Sequence, residues 1–162
     1  MISITETITG SEPLSLSEVK SWLRVDYSDE DTLITSLISE ARNQAELYLG
    51  VSIIEKSIVL ILTDRSEIQL PYGPVSVVSS VVDENDDALE YDLLAEKITF
   101  DSTVDYAKIS YSAGMSTVPS GLEMALKQII MRYYENRGDD KNIGLLPNEI
   151  QSLKPHRRKL WF

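Results

Sequence analysis

The stretch that decides the fold is Asp29–Gly50, DEDTLITSLISEARNQAELYLG. Its apolar residues recur at spacings of three and four, which predicts one stripe on a helix of about six turns. The stripe consists of Leu33, Ile34, Leu37, Ile38, Ala41, Ala45, Tyr48 and Leu49. Ser28 and Asp31 have capping-box spacing, and Gly50 can adopt the left-handed conformation that ends a helix. We expect this helix to be a scaffold that carries no chemistry.

Three further helices are predicted around it. Ser15 and Glu18 form an S-x-x-E capping box at the start of segment 13–25. The predicted buried face of that segment comprises Leu16, Val19, Trp22 and Leu23. Because only a short turn separates it from the long helix, the two should form a helical hairpin. Segment 119–137 repeats the apolar spacing after Pro119, and segment 145–153 predicts a short helix.

The middle of the chain has the pattern of β-strands. Short β-branched and apolar runs are bounded by turn residues, which predicts a small antiparallel sheet. The runs are Ser57–Thr63, Glu67–Leu70, Val75–Val82, Leu89–Leu93, Lys97–Phe100 and Tyr106–Ala113. Residues 1–9 alternate isoleucine with polar residues and predict a further strand. We expect it to pair within its own chain, the alternative being the sheet edge of a neighbouring subunit.

These elements predict an α+β fold: a helical hairpin plus a C-terminal helix, packed with a small antiparallel β-sheet inserted between them. Residues 1–144 should form a single α+β domain, because 162 residues suit one core. Residues 145–162 should form a short helix followed by a basic and aromatic tail.

Charge is the most informative feature of the composition. The chain has 15 basic and 26 acidic residues, a net charge of −11. Four basic residues lie in the last nine positions, so the body has 11 basic and 26 acidic residues, or −15. Such a body repels nucleic acid. It is either a solubilising surface or an acidic wall past which a polyanion slides.

The sequence predicts no catalytic site, cofactor or metal. Cysteine is absent, which excludes disulfides, thiol nucleophiles and thiolate metal sites. The single histidine, His156, has no convergent partner nearby in sequence. The acidic loop from Asp83 fails as a calcium loop, because Ala88 replaces the required Gly and Leu94 the required Glu. The N-terminus is unlike a signal peptide and no apolar run could cross a bilayer, so we expect no membrane association.

The C-terminal tail is the segment whose composition is most typical of a binding site for a partner. It consists of Lys154, Pro155, His156, Arg157, Arg158, Lys159, Leu160, Trp161 and Phe162. Arginines make charge-assisted bonds, and the aromatic residues are large apolar anchors. Three readings stay open: docking into another protein, folding of the aromatics onto the chain's own core, and contact with nucleic acid.

Four segments of the sequence, in order, are Leu14–Gly50, Leu70–Val82, Ala107–Arg137 and Leu153–Arg157. Together they resemble the head–tail connector (adaptor) proteins of tailed phages. The last resembles the family's Leu-x-Pro-Tyr-Arg tail, with His156 where Tyr is commoner.

The resemblance implies a ring-forming structural protein of the virion head–tail junction that is not an enzyme and needs no cofactor. Such a ring would lie under the portal protein, extend the DNA channel and receive the stopper or tail-completion protein. The chain would assemble in the host cytoplasm and can remain monomeric until a portal templates the ring. DNA would only pass through an acidic channel, and residues 154–162 would dock into the portal. The alternative is a DNA-binding or DNA-packaging accessory protein, which the acidic body disfavours.

Overall fold

The computed structural model describes residues 1–136 and 145–158. They separate into two compact units. The helical unit comprises residues 12–53 and the described residues from 117 onward, and the sheet unit comprises residues 1–11 and 54–116. The predicted α+β class is confirmed. The expected domain boundary at residue 144 lies outside the described residues and stays a prediction.

The helical unit contains four helices, all predicted from the sequence. They are α1 (Leu16–Leu23), α2 (Asp31–Leu49), α3 (Ser120–Glu135) and α4 (Pro147–Leu153). The stripe of α2 is confirmed, since Ile34, Ile38, Ala41, Ala45 and Leu49 are all buried. Gly50 ends α2 with φ +68°, and its N–H donates to the Glu46 carbonyl. None of the described helices is long and apolar enough to span a membrane.

Two local predictions for these helices are wrong. Ser28 does not cap α2, because the helix begins after Glu30 without any side-chain capping bond. Ser28 contributes its carbonyl instead, which accepts the Asp31 N–H at 3.1 Å. Trp22 is 40% exposed instead of buried, because the two-turn α1 fully buries only Val19.

In residues 1–11 and 54–116, seven strands form two antiparallel sheets where one was expected. They are β1 (Ile2–Ile8), β2 (Lys56–Leu62), β3 (Arg65–Gln69), β4 (Val75–Val82), β5 (Asp92–Leu94), β6 (Lys97–Val104) and β7 (Ala107–Ala113). One sheet has the order β1-β2-β7-β4 and the other β3-β6-β5. The division arises because β6 pairs with β3 and β5, mainly through Lys97–Thr99, and not with β7.

The core of the sheet unit lies on one face of β2 and β7. Ala107, Ile109, Tyr111 and Ala113 are buried together, as their alternation predicts. The Tyr111 hydroxyl donates to the Pro71 carbonyl at 3.0 Å, so the only polar atom of that side chain is satisfied. β1 pairs with β2 of the same chain, which confirms the within-chain pairing predicted for residues 1–9.

Candidate docking site at the C-terminus

The C-terminal segment is attached to α3 by a buried ion pair. Arg132 donates from Nε to Glu149 Oε1 at 2.7 Å and from Nη2 to Oε2 at 3.0 Å. Glu149 Oε2 also accepts the Leu146 N–H at 2.7 Å, at the start of α4. Glu149 is only 2% exposed. Burial by itself lowers the pKa of Arg132, but Glu149 outweighs that effect and the pKa lies above its ordinary value. This bidentate pair fixes the direction in which α4 carries the chain.

The next residues lie against their own helical unit. Leu153 is fully buried at the end of α4, and a 3₁₀ turn follows at Lys154–His156. His156 lies beside Gly121 of α3, where an added methyl group would come 3.4 Å from the His156 Nε2. A glycine on α3 thus leaves room for the histidine ring.

Two arginines of the tail lie at the C-terminal end of α2. The Arg158 N–H donates to the Leu49 carbonyl at 3.0 Å. The Arg157 guanidinium lies 5.6 Å from the centre of the Tyr48 ring. The last carbonyls of a helix lack intrahelical donors and carry the negative end of its dipole, so basic residues are favourable there. The contacts of Arg157 and Arg158 therefore hold this part of the tail at the C-terminal end of α2.

The predicted docking residues thus fall into two groups. Lys154, Pro155 and Arg157 are exposed, while His156 and Arg158 are half-buried. Lys159, Leu160, Trp161 and Phe162 lie outside the described residues.

A second buried ion-pair cluster, which the sequence reasoning missed, lies on α2. Arg42 is 3% exposed and donates to both carboxylate oxygens of Glu12, at 2.9 and 3.0 Å, and to Glu46 at 3.2 Å. Burial by itself lowers the pKa of Arg42, but Glu12 and Glu46 raise it above its ordinary value. Glu46 also accepts the Ile53 N–H at 2.7 Å. The cluster joins the segments before and after α2, which is a structural role.

The acidic loop after β4 is stabilised by hydrogen bonds between its own residues. Asp83 Oδ1 accepts the N–H groups of Asp87 and Asn85, at 3.0 and 2.8 Å. These two bonds hold the pKa of Asp83 below its ordinary value. In residues 1–136 and 145–158, no group of three or more metal-ligating side chains could hold a metal ion.

Acidic charge is concentrated in the sheet unit. Residues 1–11 and 54–116 contain 13 acidic and four basic side chains. Three of the four basic side chains already pair with carboxylates: Lys56 with Glu6, Lys97 with Glu67 and Lys108 with Asp86. The surface field of this unit is therefore negative, which disfavours binding of a polyanion to it.

Comparison with known proteins matches this chain to components of phage-like particles. The sequence model of the phage gp6-like head-tail connector protein family matches residues 13–87. No curated protein sequence matches the chain significantly.

Solved structures of similar fold come from gene transfer agent (GTA) particles. A chain from the neck of an empty GTA particle, computed with C6 symmetry, is 21% identical with a TM-score of 0.76. The match covers 99% of this chain and 97% of that one. A chain from the virion of a native particle is 20% identical, with a TM-score of 0.76 over 98% and 97%. A chain from a native neck computed with C12 symmetry is 19% identical, with a TM-score of 0.65 over 98% and 97%.

These findings agree with the resemblance drawn from the sequence: residues 13–87 match the phage gp6-like head-tail connector protein family, and the fold is similar to that of chains from GTA necks and virions.

Proposed function

We propose that this chain is a non-enzymatic adaptor that forms a ring under the portal protein at the head–tail junction of a virion. The ring extends the DNA channel and joins the capsid to a stopper or tail-completion protein, after assembly in the host cytoplasm. The observation that carries the proposal is the connector-family match over residues 13–87. Fold likeness to chains from necks computed with C6 and C12 symmetry supports the ring.

A ring constrains how the copies meet. Each copy presents one surface to the neighbour on one side and a different surface to the neighbour on the other, which is a heterologous interface that closes. A ring of this kind needs no catalytic residues. The ion pairs of Arg42 with Glu12 and of Arg132 with Glu149 hold segments of the helical unit together, which agrees with a purely structural part.

The acidic sheet unit supports the idea of a channel that does not retain DNA. A wall with excess carboxylates gives a polyanion no counter-charge to bind, so packaged DNA moves past it. We propose that this unit supplies the negative surface of the channel.

The position of the chain in the particle is tested by cryo-electron microscopy of particles from cells that encode it. We expect density for the chain in a closed ring directly below the portal. Density for the chain elsewhere in the particle, or none, would overturn the proposed function.

The tail is the proposed contact with the portal. Lys154–Arg158 are attached to the helical unit by described contacts, and they lead to Lys159–Phe162, which supply one more cation and three apolar side chains. Truncation after Arg158 keeps every one of those contacts. We therefore expect the truncated chain to keep its unfolding midpoint and to lose binding to purified portal protein by at least about tenfold.

A charge-matched control separates the tail from overall charge. Lys97→Ala removes one positive charge from the sheet unit, where Lys97 pairs with Glu67 at the surface. This variant should bind the portal as the wild type does. Equal portal binding by the truncated chain and the wild type would rule out docking through Lys159–Phe162.

A further inference from the structure

Leu47 is an exposed leucine in the last turn of α2. Its exposed fraction is 79%, and it is the only large apolar side chain of Asp31–Leu49 that is exposed. Its neighbours Glu46 and Tyr48 are buried and half-buried. A single exposed leucine is ordinary on a protein surface, so what lies near it decides whether it has a role.

The C-terminal tail reaches α2 at the same turn. The Arg157 guanidinium lies over the Tyr48 ring, and the Arg158 N–H donates to the Leu49 carbonyl. Tyr48 and Leu49 are the two residues that follow Leu47. The last described residues of the tail are therefore held within one helical turn of the exposed leucine.

The length of the remaining chain limits where it can go. Lys159–Phe162 continue from Arg158, and four extended residues span about 13 Å. Another exposed aromatic residue of the helical unit, Tyr27, bonds to Glu30 at the opposite end of α2. A helix of 19 residues, the length of α2, is about 28 Å long. Leu47 is therefore within reach of the last four residues, and Tyr27 is not.

Charge favours the same location. The last turn of α2 contains no basic residue, so nothing within the helix balances the negative end of its dipole. Arg157 and Arg158 lie at this end, and Lys159 follows them directly. Attraction of these three cations to the end of α2 keeps the apolar residues that follow them beside Leu47.

We infer that, in a chain without a bound partner, Lys159–Phe162 fold back over the last turn of α2 and Trp161 covers Leu47. Burial of the aromatic ring against the leucine is favourable, and the short link from Arg158 keeps the entropic cost of closing the contact small. One consequence rests on the proposed function: the tail has to leave Leu47 before it docks into the portal. The end of α2 and the portal then compete for the same four residues.

A contact of this kind is useful only if it opens readily. A closed form that is populated about half of the time hides Trp161 for about half of the time, and it weakens the apparent affinity for the portal about twofold. Such a form adds little to the free energy of unfolding, so the chain truncated after Arg158 still keeps its unfolding midpoint.

The fluorescence of Trp161 in the purified full chain tests the inference without the portal. The chain has two tryptophans, so Trp22→Phe, at a position that is 40% exposed, leaves Trp161 as the only reporter. Two leucine variants in this background are matched in exposure. Leu47→Ser removes the side chain under Trp161, and Leu94→Ser removes a leucine that is 80% exposed in β5.

We expect Leu47→Ser to raise the rate of quenching by acrylamide at least about twofold and to shift the emission maximum to longer wavelength. Leu94→Ser should change neither quantity. Circular dichroism and unfolding midpoints establish that each variant is folded.

Binding to purified portal protein separates this inference from the proposed function. If the tail docks into the portal, Leu47→Ser should bind at least about twofold more tightly than Leu94→Ser, because its tail is always available. Faster quenching in Leu47→Ser without tighter binding supports the folded-back tail and contradicts docking through Lys159–Phe162.

Three results would overturn the inference. The first is equal quenching in Leu47→Ser and Leu94→Ser. The second is faster quenching only in Met124→Ser, since Met124 is 45% exposed and lies one turn along α3 from Gly121, which is beside His156. The third is slow quenching that is lost on dilution from about 10 μM to about 0.1 μM, which would mean that another copy covers Trp161.

Discussion

The Glu149 side chain accepts hydrogen bonds from two different segments of the chain, α3 and the residue before α4. Its carboxylate accepts two bonds from the Arg132 guanidinium and one from the Leu146 N–H, and it is almost completely buried. An isolated charge in such a place is costly, so the value of the pair depends on both partners being present. Removing one partner is therefore more harmful than replacing both by apolar groups.

This asymmetry gives the first prediction. Glu149→Leu alone should lower the free energy of unfolding by about 3 kcal/mol, because it removes the buried carboxylate that accepts two hydrogen bonds from the Arg132 guanidinium. The double variant Arg132→Met with Glu149→Leu should recover most of that loss. Urea unfolding of the two single variants and the double variant measures the coupling, and strictly additive losses would contradict it.

The capping box of α1 gives a prediction about pH. The Ser15 hydroxyl donates to Glu18 Oε2 at 2.7 Å, and the Ser15 N–H donates to the same oxygen at 2.9 Å. These bonds, led by the hydroxyl, hold the pKa of Glu18 below its ordinary value. A lowered carboxyl pKa stabilises the fold above the unfolded pKa and ceases to do so as pH falls through the folded one.

Ser15→Ala should therefore destabilise the protein at pH 7, and this effect should shrink as the pH falls through the lowered pKa of Glu18. Thermal unfolding of both proteins across this range measures the difference. Ser17→Ala, on the exposed face of the same helix, is the control, and it should give a difference that does not change with pH. A Ser15→Ala difference that stays constant as the pH falls through this pKa would refute the assignment.

Contacts between individual side chains were the features that the sequence predicted least well. The Ser15–Glu18 box was predicted because its partners are three residues apart. Arg42 with Glu12, and Arg132 with Glu149, were missed because their partners lie 30 and 17 residues away. Arg42 and Glu46 do have i,i+4 spacing on one helix. That spacing, within an otherwise apolar stripe, was the available signal.

At the scale of helices and strands, capping and turn residues near each end predicted most of the boundaries. β4 has the bounds that were predicted for it. Gly50 ends α2, and Pro147 begins α4. The partition into two sheets was not predictable in this way, because it depends on β6 pairing with β3, about thirty residues earlier. Periodicity identifies strands and does not identify their partners.

The end of α2 can be tested directly. Gly50 has φ +68°, and no atom lies within 4 Å of where a Cβ would be, so any penalty comes from the backbone alone. Gly50→Ala should cost about 1 kcal/mol of unfolding free energy, and Gly50→Asn less, because asparagine tolerates this conformation better. Chemical denaturation of both variants gives the comparison. Equal stability of wild type and Gly50→Ala would show that α2 ends differently.

For the whole molecule, charge decides between the adaptor and the DNA-binding alternative. The chain carries −11 overall, and the sheet unit holds 13 acidic against four basic side chains. We expect no shift of linear double-stranded DNA in a gel at low salt, where electrostatic binding is strongest. A deletion of residues 154–158, which removes three basic side chains, is the control and should behave like the wild type. Tight binding that weakens as salt is raised would favour the packaging accessory instead.

The distance in sequence between β1 and β2 has a consequence for synthesis in the cell. β1 leaves the ribosome first, but its pairing partner begins only at Lys56. At translation rates of about 5–20 residues per second, the nascent chain carries its isoleucines without a partner for several seconds. Several ribosomes on one messenger RNA would bring the unpaired β1 strands of neighbouring nascent chains together, so a lower rate of initiation, which spaces the ribosomes apart, should raise the yield of folded protein.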